Sequence, residues 1–253
     1  MAHVPGWIRK FHKSRSESAA PLLICPHAGG GASAYRSLSK VCRDDFDVLL
    51  FQYPGRQDRA TEPAMTSIEA MAGGAFDEFA RSPYNRGEPI TVFGHSMGAL
   101  VAFELVRLAE AADVPVRLLA VSAAVPPWRV AEVPPHPTDD EELLDHLSAL
   151  QGTGEEVMGN RELMRMTLPV LKADYRAFDA YSCADDVVLR TEIHAMGGED
   201  DVVSFGDLYG WQRHTERDLQ ATMFEGGHFY LYDNFPGIAE LLVPEPISAS
   251  RHE

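Results

Sequence analysis

Long apolar runs are missing from this chain. The longest, such as PLLIC at 21–25 and VLLF at 48–51, fall far short of the roughly 20 residues that cross a bilayer, so no transmembrane segment is expected. Cysteine is scarce as well. Cys25, Cys42 and Cys183 are odd in number and include no C-x-x-C pair, which argues against both a disulfide framework and a zinc site and leaves reduced thiols. Positive charge is the third shortage: 22 Lys and Arg stand against 38 Asp and Glu, a net charge of −16. That balance opposes non-specific binding to nucleic acid or to an anionic membrane. The first residues, MAHVPGWIRKFHKSRSES, lack an apolar core and a small-residue cleavage site, so no secretory signal is read and a cytoplasmic protein is expected. Their cations Arg9, Lys10, Lys13 and Arg15 read as a solvated tail.

What the chain does have is enough apolar residue for a sizeable core: 253 residues, 45 % hydrophobic and 24 % charged, the profile of one globular domain with an insertion. Apolar runs at 21–25, 46–51, 89–93, 116–122, 190–195 and 219–224 alternate with helix-period segments at 33–41, 67–81, 97–112, 205–215 and 229–241. That order predicts an α/β class with a mostly parallel central sheet flanked by helices. The stretch 125–187 breaks the rhythm. It opens on Pro126 and Pro127, passes PPHP at 134–137, and offers helices at 138–150 and 161–181 around QGTGEEVMGN, which reads as a helical lid insertion. The expected layout is therefore an N-terminal segment 1–20, a core in two parts at 21–124 and 188–245 around the insertion 125–187, and a tail 246–253.

Residues 93–100 read FGHSMGAL. Two glycines around a serine, between the strand-like PITVF and the helix-like MGALVAFELVRLAE, form the strand-turn-helix context in which Gly-x-Ser-x-Gly exposes a nucleophile, here Ser96. A serine hydroxyl needs a base in reach and an acid to hold that base's tautomer. Reactive groups of a parallel sheet gather at the carboxyl ends of strands, and His228, in GGHFYL behind the run LQATMF, is the histidine placed that way. His95 adjoins the nucleophile and points elsewhere, while His194, His214, His136 and His146 read as structural. For the acid, the loop GGEDDVVS at 197–204 offers Asp200 or Asp201, which gives the chain order Ser, Asp, His of an α/β-hydrolase triad. PHAGGG at 26–31 follows the first of these strands. Its backbone amides, together with the amide of Met97 just past the serine, can face a developing oxyanion. The loop lacks both the Gly-Lys-Ser/Thr ending of a P-loop and dinucleotide-site spacing.

These motifs, with QYPGRQDR at 52–59, W-x-x-HT at 211–215 and GGHFYL at 226–231, resemble the stand-alone type II thioesterases of polyketide and nonribosomal peptide pathways from about Trp7 to Leu242. The resemblance implies an α/β-hydrolase fold with a helical lid and hydrolysis of acyl thioesters on the phosphopantetheine arm of acyl or peptidyl carrier proteins, clearing aberrant or stalled acyl groups. It places the nucleophile on Ser96, the base on His228 and the oxyanion amides on Ala28 and Met97. In relatives the acid loop often reads Gly-x-x-Asp-Pro-x-Val; aligning Val203 with that valine puts the acid on Asp200 and leaves Asp201 where proline is usual.

On this reading no metal and no cofactor is needed, the partner is the acyl-loaded carrier, and a monomer is expected. Arg56, Asp58 and Arg59 are expected to form a structural ion pair beneath the entrance, with carrier contact as the alternative. Met158, Met164 and Met166 are candidates for an adaptable acyl chamber, with ordinary packing as the competing account. Rival functions with the same motifs are a medium-chain fatty acyl-carrier thioesterase and a chain-releasing acyltransferase or cyclase; a catalytically silent carrier-binding scaffold is the rival from another class.

Overall fold

The computed structural model describes residues 6–151 and 161–243. Among them, seven strands form one sheet in the order β1-β3-β2-β4-β5-β6-β7. The strands are β1 (Ile8–Arg9), β2 (Ala20–Cys25), β3 (Phe46–Phe51), β4 (Ile90–His95), β5 (Val116–Ser122), β6 (Glu192–Gly198) and β7 (Gln220–Phe224). All neighbours pair in parallel except β1, which runs antiparallel along β3 with Ile8 opposite Phe51. The helices are α1 (Arg36–Cys42), α2 (Ile68–Arg81), α3 (Met97–Ala111), α4 (Asp140–Gln151), α5 (Arg161–Asp179), α6 (Phe205–Tyr209) and α7 (Phe235–Leu242).

The strands are apolar on both faces because both faces are covered. Leu23, Leu49, Phe51, Val92, Leu119 and Val121 pack with α2 and α3; Leu22, Ile24, Val48, Leu50, Leu118 and Ala120 pack with α1 and α7. Alternate residues of one strand thus enter opposite layers, and a strand buried twice reads as a continuous hydrophobic run. Between β5 and β6, α4 and α5 carry a small core of their own, Leu143, Leu144, Leu168, Leu171 and Tyr175. No helix among the described residues is long and apolar enough to cross a membrane.

Three expectations change. The segment 205–215 is a short α6 followed by a 3₁₀ turn (Gly210–His214), and 229–241 is a 3₁₀ turn (Tyr230–Tyr232) followed by α7, which starts around Pro236; proline fits a first helical turn, where its missing N–H costs nothing. The basic N-terminal residues are not a free tail: Arg9 pairs with Asp58 at 2.7 Å, Arg15 with Asp44 at 2.8 Å, and Lys10 with Asp47, because β1 docks this segment on the sheet edge. Finally, Arg56 and Arg59 do not pair with Asp58. Arg59 meets Glu62 at 2.6 Å and Arg56 meets Asp174 at 2.7 Å.

Candidate active site

The chain winds outward from β2 to β3 and then returns to β4 on the other side of β2. A crevice opens at such a reversal, at the carboxyl ends of the two strands. The glycine loop leaves β2 there and the serine leaves β4, with Cys25 opposite Gly94 in register.

Ser96 sits at φ 53° and ψ −126°, a region that non-glycine residues rarely adopt and that marks stored strain. The two flanking glycines allow it. A Cβ on Gly94 would lie 2.1 Å from the Gly98 carbonyl oxygen, and one on Gly98 would lie 2.1 Å from the Cys25 oxygen and 2.6 Å from that of Pro26. Side chains at either position would push the turn open and separate the helix start from the glycine loop.

His228 Nε2 lies 3.0 Å from Ser96 Oγ, and its Nδ1 lies 3.0 and 3.1 Å from the two carboxylate oxygens of Asp201. An ionised carboxylate only accepts, so Nδ1 carries the proton, Nε2 is left as acceptor, and the serine hydroxyl donates to it. The Asp201 side chain is wholly buried and that of His228 is 8 % exposed. Ser96 and His228 were expected to meet, and they do. Asp200 is not the carboxylate that faces the imidazole. Residues 198–201 form a turn closed by the Asp201 amide donating to the Gly198 carbonyl, while the Asp200 amide donates to Gly226. The turn returns the fourth residue toward His228 and leaves the third, Asp200, exposed.

The loop at 26–31 approaches the first turn of α3, and among the described residues neither the Ala28 nor the Met97 amide donates to another protein group. The neighbouring Gly29 amide is committed, donating to Asp174 Oδ2 at 2.7 Å.

A second serine–histidine pair lies beneath. His95 Nδ1 is 2.8 Å from Ser122 Oγ, which is 2.6 Å from Tyr230 Oη. All three residues are buried, so no substrate carbonyl reaches that hydroxyl. Burial pushes His95 well below the ordinary 6.5, helped by the charges of His228 and His27. Burial likewise pushes His27 down to about 3, with His228 and Arg56 adding to it. His27 Nδ1 meets Tyr35 Oη at 2.7 Å. His95, whose ring centroid lies 5.3 Å from that of His228, and His27 therefore stay neutral at physiological pH.

Ser96 and His228 open into a cavity of about 400 Å³, walled by Ala123, Ala124 and Val125 after β5, by Val202 and Val203, and by His136, His146, Tyr175 and Phe178 of the 125–187 stretch. His136 stacks on Tyr175 with ring centroids 3.8 Å apart and bonds Asp179 at 2.6 Å. Sequence reasoning read His136 and His146 as structural; they line the cavity, and only the pairing of distant helices reveals it. His194 and His214 are structural, bonded to Thr222 at 2.8 Å and to the Val187 carbonyl at 2.7 Å. Met158 and the side chains of Met164 and Met166 lie outside the described residues. No group of three or more metal-ligating side chains occurs among the described residues.

Residues 20–244 match the family described as Thioesterase domain. The solved type II thioesterase BorB, from the borrelidin biosynthetic cluster, superposes with a TM-score of 0.82 at 37 % identity, over 95 % of this chain and 98 % of that one. Thioesterase PikA5 of Streptomyces venezuelae is 36 % identical over 231 residues, 90 % of this chain and 81 % of that protein. Phenyloxazoline synthase MbtB of Mycobacterium tuberculosis is 41 % identical over 238 residues, 93 % of this chain, and the chain spans 16 % of that protein's length.

Proposed function

This chain belongs to the thioesterase family, among the type II enzymes of nonribosomal peptide and polyketide pathways, and we propose that it hydrolyses acyl thioesters on the phosphopantetheine arm of a carrier protein, removing aberrant or stalled acyl groups. The observation that carries this reading is the Ser96–His228–Asp201 relay at the mouth of a mainly apolar cavity.

The geometry supports the following steps. Ser96 Oγ attacks the thioester carbonyl as His228 Nε2 takes its proton, and Asp201 holds the imidazole and balances its positive charge. The amides of Ala28 and Met97 receive the carbonyl oxygen as it becomes anionic, each such donor contributing about 3–4 kcal/mol to the transition state. The C–S bond breaks, the pantetheine thiol leaves with the proton from His228, and an acyl ester remains on Ser96. Water then enters, His228 deprotonates it, and the free acid and serine are released. The acyl chain lies in the cavity under α4 and α5, which act as the lid of the 125–187 insertion. The carrier, met in the cytoplasm, stays outside.

The 41 % identity to one stretch of a much longer synthase, of which this chain spans 16 %, favours a second reading, release of a finished chain. One assay separates the two. The protein is mixed with carrier-bound acetyl, propionyl, hexanoyl and aminoacyl groups and, separately, with a carrier-bound full-length chain, and the products are separated by chromatography. Free acid from short, unfinished groups supports editing; no turnover of any of them, with release of a mature chain alone, overturns it.

A further inference from the structure

The proposed chemistry leaves one buried ion pair without a task. Asp174, on α5, is completely buried and Arg56 is nearly so. Asp174 Oδ1 accepts from Arg56 Nη2 at 2.7 Å, and its Oδ2 accepts from the Gly29 amide at 2.7 Å. Arg56 Nη1 donates to the Gly30 carbonyl at 2.9 Å. One carboxylate and one guanidinium thus grip two consecutive residues of the glycine loop, directly beside Ala28. Ala28 also packs on the α5 cluster of Leu168, Leu171 and Tyr175.

Arg56 is itself anchored to the sheet side of the molecule. Gln52 Nε2 donates to the Arg56 carbonyl at 2.9 Å, and Gln52 Oε1 accepts from the Ala32 amide at 2.8 Å. Arg59 Nη1 donates to the Gln52 carbonyl at 2.8 Å. The QYPGRQDR stretch is therefore the frame that holds the loop from below, and α5 holds it from above. Burial raises the Asp174 carboxyl, against the downward pull of Arg56 and the Gly29 amide. A buried ion pair is a poor source of net stability, and removing one partner leaves an uncompensated charge.

We propose that Arg56 and Asp174 are positioning residues that make the Ala28 oxyanion amide depend on the seating of α5, so that the loop reaches its productive geometry only while the helix closing the acyl cavity is in place. The inference rests on the Ser96 reading. It gives the cavity a way to act on rate: an acyl group held against Tyr175 on α5 stabilises the helix, the helix fixes the loop, and binding energy appears in kcat rather than KM.

The test uses Asp174→Asn, which keeps the shape, and Arg56→Lys, which keeps the charge but not the fork. Asp44→Asn, which breaks the exposed Arg15 pair just before β3, is the control. Each protein is assayed for kcat and KM on acyl-pantetheine. It is also titrated with an acyl trifluoromethyl ketone, whose serine adduct is an oxyanion, and with a non-hydrolysable acyl-pantetheine thioether. For both pair variants, kcat and ketone affinity should fall together by about 10²-fold, the loss expected of one oxyanion donor. KM and thioether affinity should hold, and Asp44→Asn should match wild type. The ratio of the two affinities is independent of the folded fraction, so a poorly folding Asp174→Asn preparation still reports, and Arg56→Lys gives a second answer. An unchanged ratio, or equal loss of both affinities, overturns the proposal. Wild-type ketone binding that survives in Ser96→Ala would instead show that the nucleophile assignment had failed.

Discussion

Replacing Asp201 with Asn keeps the side chain's size and removes its charge. The carboxylate lies 3.0 and 3.1 Å from His228 Nδ1 and is wholly buried. With the charge centres about 4 Å apart, an effective dielectric near 20 gives an attraction of about 4 kcal/mol for the imidazolium that forms during attack. At about 1.4 kcal/mol per factor of ten, losing it slows kcat by about three orders of magnitude. An amide can also present its N–H₂ to Nδ1, forcing the proton onto Nε2, where it blocks the serine; this brings the expected loss to about 10³–10⁴-fold. The neighbouring change Asp200→Asn touches an exposed side chain and should stay within about two-fold, as a surface substitution does. Free acid released from an acyl-carrier or acyl-pantetheine thioester, measured at saturation for both variants, decides it. A crippled Asp200→Asn beside an active Asp201→Asn would refute the reasoning.

Gly98→Ala places a methyl 2.1 Å from the Cys25 carbonyl oxygen; the turn must open, so activity should fall steeply and the melting midpoint by several degrees, at about 2–4 °C per kcal/mol for a chain of this size. Phe178→Ala enlarges the cavity beside Tyr175, and a panel of carrier-bound acyl groups should show the optimum moving to bulkier chains with the short-chain rate little changed. Stability should also depend on pH through His27, pushed down to about 3, and His95, driven well below 6.5. Both folded values lie below the unfolded one, so their contribution is present above about pH 6.5 and is lost as pH falls toward the folded values, by up to about 1.4 kcal/mol per pH unit for each. Urea melts between pH 7.5 and 5 should show that decline, and it should be shallower in His95→Gln; equal slopes would remove His95 from the account.

Much of the architecture was legible because its signals are local. Strands β2 to β5 are buried over most of their length on both faces, and that burial writes a largely apolar run such as PLLIC or VLLF into each. Ser96 was legible because a turn this tight needs Gly94 and Gly98 within two residues of it, and His228 because it follows a strand late in the chain. What escaped depends on turn phase or on distant partners. Two adjacent aspartates differ only in which one a four-residue turn returns to the interior, and composition carries no record of that phase. Arg56 and Asp174 are 118 residues apart, so QYPGRQDR suggested a local ion pair where the structure has a clasp reaching α5. Strand β1 is two residues long, too short for any alternation to show. His136 and His146 line the cavity only because α4 and α5 fold over the strand ends.

The nucleophile can be identified directly by catching it. Wild type is mixed with a carrier-bound acyl thioester, quenched in acid within the first turnover, digested, and its peptides weighed by mass spectrometry. The acyl mass should appear on the peptide containing Ser96, and should vanish along with turnover in Ser96→Ala. Acyl mass on Ser122, or full turnover by Ser96→Ala, would contradict the account at its root.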